Sequence, residues 1–196
     1  MSDFILLATN NQHKVEEITK ILSDYTHRIK SLDDYPGLPQ PVEDGDSYYE
    51  NSLKKAMHYY KLTGIPTIAD DSGLEIDAFN GEPGIHSARF IKPDMPFSER
   101  NEIILSRMKD VPENNRGARF RCCCVVVYSE NDIRTESGTL EGRIGNEAKG
   151  SFGFGYDPVF FVPEYDRHLA ELEPEIKNRI SHRAKAFENI RKHLDK

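Results

Sequence analysis

Two adjacent aspartates sit in the run Ile68-Ala69-Asp70-Asp71-Ser72-Gly73-Leu74, after which Ile76 and Ala78 resume an apolar alternation. Carboxylates are costly to desolvate without a partner. A hard divalent cation is the simplest partner for such a cluster. The Ser-Gly pair predicts a strand that stops at Asp70 to Gly73 and restarts, as a bent strand or a hairpin pair. Two carboxylates and a hydroxyl would then stand where the backbone bends, and strand ends are where α/β proteins usually hold ligands. A solvated Ser-Gly turn accounts for the same residues unless other parts of the chain join them.

Four further segments could do so. Thr9-Asn10-Asn11-Gln12-His13-Lys14 joins an apolar run to a helical pattern, and the free N–H groups and dipole of a helix start suit phosphate. Lys14 adds a mobile charge there, although taken alone an ordinary capped helix is the better reading. Glu43, in a proline-rich loop, could complete a magnesium site with Asp71, since Mg²⁺ takes one or two protein carboxylates plus phosphate and water. Ser151-Phe152-Gly153-Phe154-Gly155-Tyr156-Asp157-Pro158 sets aromatics between glycines. There Phe154 could stack a base, and Tyr156 or Asp157 could meet a sugar or base edge. A core turn explains that segment equally well. Lys177 and Ser181-His182-Arg183 gather donors at the start of the last helix, and an arginine, which only donates, favours a base with a carbonyl at C6. Together these are the parts of a metal-assisted nucleoside triphosphate hydrolase.

Composition narrows the classes. The chain has 196 residues, 37% hydrophobic and 30% charged, with a net charge of −7. That length suits one domain with room for two lobes. The acidic balance argues against a general nucleic-acid binder. No apolar run approaches the ~20 residues that span a bilayer, and the first residues lack the basic stretch of a signal peptide, so a cytoplasmic protein is expected. Cys122, Cys123 and Cys124 are contiguous, which suits neither a disulfide among them nor a zinc site, and they read as buried small hydrophobes.

The elements that must position these groups follow from periodicity. Phe4 to Ala8 reads as a buried strand, and Gln12 to Tyr25 as a helix capped by Asn10 or Asn11. Arg28 to Leu32 suits a short strand, and Asp33 to Gly45 a loop. Ser47 opens a helix with a capping box to Glu50, burying Tyr49, Leu53, Ala56, Met57 and Tyr60 and stopping at Gly64. Phe97 to Val111 and Ser181 to Leu194 read as helices, and Ala118–Tyr128 with Ile133–Leu140 as a hairpin.

The order Ala-Thr-Asn-Asn-x-x-Lys, Glu-Asn-Ser-x-x-Lys-Ala, Ile-Ala-Asp-Asp-Ser-Gly-Leu, Pro-Gly-Ile-x-Ser-Ala-Arg-Phe, Gly-Phe-Gly-Tyr-Asp-Pro and Ser-His-Arg closely resembles the inosine/xanthosine triphosphate pyrophosphatases. The match runs from Ala8 to Arg183. The resemblance implies an elongated α/β fold with a mixed β-sheet, flanking helices and two lobes around a central active-site cleft, as a homodimer. It implies Mg²⁺-dependent cleavage of ITP, dITP or XTP between the α and β phosphates, giving the monophosphate and pyrophosphate. By position, Thr9, Asn10, Asn11, Gln12, His13 and Lys14 would bind phosphate, with Lys55 as a further contact. Glu43 and Asp71 would hold the metal, Asp71 would also accept the proton, and Ser72 would touch substrate. Phe154, Gly155, Tyr156, Asp157, Lys177, His182 and Arg183 would hold the nucleoside. Asp70 reads as structural. His86 stands where relatives often carry Tyr.

Overall fold

The computed structural model describes residues 4–194. One seven-stranded sheet has the order β2-β1-β3-β4-β5-β6-β7. Its strands are β1 (Ile5–Leu7), β2 (Ile29–Ser31), β3 (Thr67–Ile76), β4 (Gly117–Ser129), β5 (Asp132–Ile144), β6 (Phe160–Val162) and β7 (Arg167–His168). The β1 strand pairs in parallel with both β2 and β3, and β6 is antiparallel to β5 and β7, so the sheet is mixed. The helices are α1 (Gln12–Ile21), α2 (Tyr48–Thr63), α3 (Phe97–Arg107), α4 (Pro174–Ile180) and α5 (His182–Arg191). Among the described residues, no helix is long and apolar enough to cross a membrane.

The chain divides into two compact units. The first takes the residues up to Asp71, then Cys122–Gly138, then those from His182 on. β1 and the Cys122–Val127 stretch of β4 are buried on both faces and therefore read as unbroken apolar runs. Because neighbouring side chains point to opposite faces, Ile5 and Leu7 pack with Ile18 of α1 and Phe187 and Ile190 of α5. Leu6 and Ala8 instead pack with Ala56 and Tyr59 of α2. The cysteines obey the same rule. Cys122 and Cys124 join the first cluster and Cys123 the second, all free and buried. Burial pushes the Cys122 and Cys124 thiols well above their usual range, and a thiol that stays protonated is a poor nucleophile. A thiol reagent such as Ellman's, applied to native protein at pH 8, is therefore expected to leave the cysteines unlabelled until the chain is denatured. Rapid native labelling would contradict the packing.

The second unit takes Ser72–Arg121 and Thr139–Ser181. Its core gathers Leu74 and Ile76 of β3, Ile104 and Met108 at the end of α3, Phe120, Leu140, Phe160 and Leu169.

Several boundaries differ from the periodic reading. The largest correction is at β3, which does not stop at the aspartates but runs unbroken through Asp70, Asp71, Ser72 and Gly73. A strand can carry two successive acids when alternation sends them to opposite sides and each finds a donor, and here Asp70 meets Lys14 while Asp71 meets Asn51. The first helix ends at Ile21 and the third at Arg107, each a turn short of its predicted end, while β5 runs on to Ile144. Tyr49, expected inward, is 43% exposed. The α2 cap departs slightly from a reciprocal box: Ser47 accepts from the Glu50 N–H, but Glu50 accepts from Asp46.

Candidate active site

The first unit assembles most of the charged residues singled out from sequence. After β1, Thr9 Oγ1 accepts the Asn11 N–H, and Asn11 caps α1 by accepting from the Lys14 N–H. This ties the turn and sets Lys14 in the first helical turn. Residues Asn10 to His13 are exposed, in keeping with a place that a ligand reaches. Lys14 Nζ then donates to Asp70 Oδ2 at 2.9 Å. The same oxygen lies 3.5 Å from Arg183 Nε and 3.8 Å from Cys122 Sγ, which donates to it. Arg183 Nη1 donates to Glu17 Oε2 at 2.6 Å.

Beside this network, Asn51 of α2 donates to Asp71 Oδ2 at 3.0 Å and accepts from the Gly45 N–H. One turn further along α2, Lys55 donates to Glu43 Oε2 at 2.7 Å. The proline-rich loop is thereby fastened to the helix at both Gly45 and Glu43.

The two aspartates, neighbours in sequence, are electrostatic opposites. Burial opposes charge on Asp70, yet Lys14, Arg183 and Lys55 outweigh it and hold its carboxyl far below the usual range. For Asp71 burial wins: Lys14, Lys55 and the Asn51 hydrogen bond offset it only in part, and the charge on Asp70 adds to it, so its carboxyl is raised. An ionised anchor beside a carboxylate readier to take a proton is the division that acid–base chemistry uses.

The second unit builds the aromatic turn. Lys177 Nζ donates to Asp157 Oδ2 at 2.6 Å, and that oxygen also accepts the Phe154 N–H at 2.8 Å. The Lys177 ammonium stands 4.6 Å from the centre of the Phe154 ring. Gly153 makes room for this: at φ +74° a Cβ there would lie 2.1 Å from Asp157 Oδ2. Tyr156 turns inward instead, its hydroxyl donating to the Ser87 carbonyl, and burial pushes it up to about 12. Gly155 joins Phe154 to Tyr156.

A model of the Ham1 family matches residues 5–193. The chain belongs to the Ham1 family. Among its relatives, a Desulforamulus reducens protein named dITP/XTP pyrophosphatase is 42% identical over 98% of this chain and 96% of its own length. A Vibrio parahaemolyticus protein of the same name is 45% identical over 95% and 94%. The solved Ham1 protein of Coxiella burnetii is 38% identical, covers 97% of both chains and superposes with a TM-score of 0.87. The mixed α/β fold of this Ham1 chain is thus the fold of solved relatives.

Of the predicted residues, Thr9 to Lys14, Glu43, Lys55, Asp71 and Arg183 all lie in the first unit, with His182 buried at the start of α5. Ser72, Phe154 to Asp157 and Lys177 lie in the second. His86 is exposed. Sequence reasoning missed Asn51 and Glu17. The first had a legible signal, because Asn51 precedes Lys55 by four residues and so shares its helix face. Glu17 had none, being one of several acids on α1.

Proposed function

We propose that this Ham1 chain hydrolyses purine nucleoside triphosphates outside the standard set, namely ITP, dITP and XTP, between the α and β phosphates. The observation that carries the reading is the geometry around the pair: Lys14 Nζ donates to Asp70 Oδ2 at 2.9 Å and Arg183 Nε lies 3.5 Å from the same oxygen, while Asp71 accepts from Asn51 at 3.0 Å. The names of the relatives give the substrate class.

The donor set suits Mg²⁺. Glu43 and Asp71 offer the one or two carboxylate ligands that this ion takes, and the desolvated charge of Asp71 is one that a divalent cation would stabilise. Bound Mg²⁺ would supply neutralisation of the triphosphate charge. The chain's own groups do the rest. The α1 turn and Lys14 receive phosphate oxygens, and Lys55 adds a cation beside Glu43. Asp71 accepts the proton of the attacking water as its oxygen bonds to phosphorus, and the P–O bond to pyrophosphate breaks. Asn51 orients Asp71. Phe154 offers a stacking face, with Asp157 and Lys177 polar groups beside it; Arg183, to which the resemblance gives the 6-oxo group, is 2% exposed and donates to Glu17, so it would have to exchange that partner to meet a base. Ser72 and His182 carry the remaining substrate contacts that the resemblance implies, and the protein would act as a homodimer.

A site built around hydrogen bonds rejects an analogue that leaves them unpaired by as much as ~10⁴. In a substrate panel with Mg²⁺, kcat/KM for ITP should exceed that for ATP by at least about a hundredfold, and EDTA should abolish turnover. Comparable values for ITP and ATP would remove the base-reading role, and full activity in EDTA would remove the metal.

A further inference from the structure

The aromatic turn of the second unit is built on glycines at Gly153 and Gly155, both at positive φ. Glycine's freedom leaves a backbone pliable unless something outside fixes it. A Cβ at Gly155 would meet only ordinary contact, 3.8 Å from the Phe97 ring, so packing alone does not lock that residue. The lock is a side chain of α3: Asn101 Nδ2 donates to the Gly155 carbonyl at 3.0 Å. The amide orientation is forced, because a carbonyl can only accept.

Two features single Asn101 out. It is 5% exposed, and its Oδ1 has no hydrogen-bond partner among the described residues. A buried amide satisfied on one side only is a poor way to fill a core compared with an apolar side chain of the same size, so its donor is the reason for its presence. It also acts within a wider clamp. The neighbouring Arg100 lies over Phe97 at 4.7 Å and donates to the carbonyls of Ser87, Ala88, Lys92 and Pro93. Ser87 in turn receives the Tyr156 hydroxyl, and Phe97 packs edge-on against Tyr156 at 5.1 Å. Tyr156 is thus fixed from one side and Gly155 from the other.

We propose that Asn101 is a positioning residue for nucleoside binding, holding the Gly155 carbonyl so that the Phe154 ring stays under the Lys177 ammonium. This rests on the reading that Phe154 holds the nucleoside. The test compares the full-length enzyme with Asn101→Leu, Asn101→Gln and Phe154→Ala, using ITP with Mg²⁺ and inorganic tripolyphosphate as a competitor lacking a nucleoside. Asn101→Leu should raise KM for ITP about tenfold, the effect of one net hydrogen bond, with kcat within about threefold. Its melting temperature should not fall, and inhibition by tripolyphosphate should be unchanged. Asn101→Gln, which keeps an amide donor, should recover most of the loss. Should Asn101→Leu fail to fold, Asn101→Ser, too short to reach Gly155, is read in the same way. A KM within about twofold of wild type, a tripolyphosphate constant that rises with KM, or a Gln variant no better than Leu overturns the proposal. If Phe154→Ala raises KM while Asn101→Leu does not, only the positioning role fails. If neither does, the nucleoside reading fails with it.

Discussion

Asp71→Asn should reduce kcat for ITP by about 10²–10⁴-fold, the range general-base assistance supplies, while the protein melts no lower than wild type. The second half of this result comes from the sign of the shift. The folded-state pKa of Asp71 is raised by burial, so folding favours the neutral form, and the ionised carboxylate costs stability at neutral pH. An amide removes that cost and still accepts from Asn51. A variant that keeps more than about a tenth of wild-type kcat would sink the base assignment. One that simply unfolds would sink the electrostatic account.

Asp70→Asn should do the reverse, damaging the fold before the chemistry. Asp70 is fully buried and holds Lys14 at 2.9 Å and Arg183 at 3.5 Å. Neutralising it takes from Arg183, 2% exposed, one of the two carboxylates placed against its buried charge, leaving the Glu17 contact. Removing one partner of a buried ion pair costs about 3–5 kcal/mol, a fall in melting temperature on the order of 10 °C for a chain of this size. Lys14 is less buried than Arg183 and can turn to water. Adding Lys14→Met to Asp70→Asn should therefore cost less than the sum of the single changes. Strict additivity, or a stable Asp70→Asn protein, would contradict the network. A carboxyl held below its usual range contributes stability that is present at neutral pH and lost on acidification through its folded-state value.

The contrast between these two residues also marks what the sequence discloses. The β1 strand, the Asn11 cap, α2 and the β4–β5 hairpin were legible, because period and capping chemistry are local signals. The continuity of β3 was not. Two acids followed by Ser-Gly look like a break in isolation, and only partners distant in sequence, Lys14 and Asn51, make an unbroken strand affordable. The roles of Glu17, Arg100 and Asn101 were hidden for the same reason. Glu17 and Asn101 act on residues far along the chain and Arg100 on backbone carbonyls of the preceding loop, and nothing in their immediate neighbours marks them. The strand β7, of two residues, is below the length at which alternation can be read.

Product identity reports which bond of the triphosphate breaks. ITP incubated with the enzyme and Mg²⁺, followed by ³¹P NMR, should yield inosine monophosphate and pyrophosphate in equal amounts, with no inosine diphosphate at any time. Inosine diphosphate and orthophosphate as first products would contradict cleavage between the α and β phosphates.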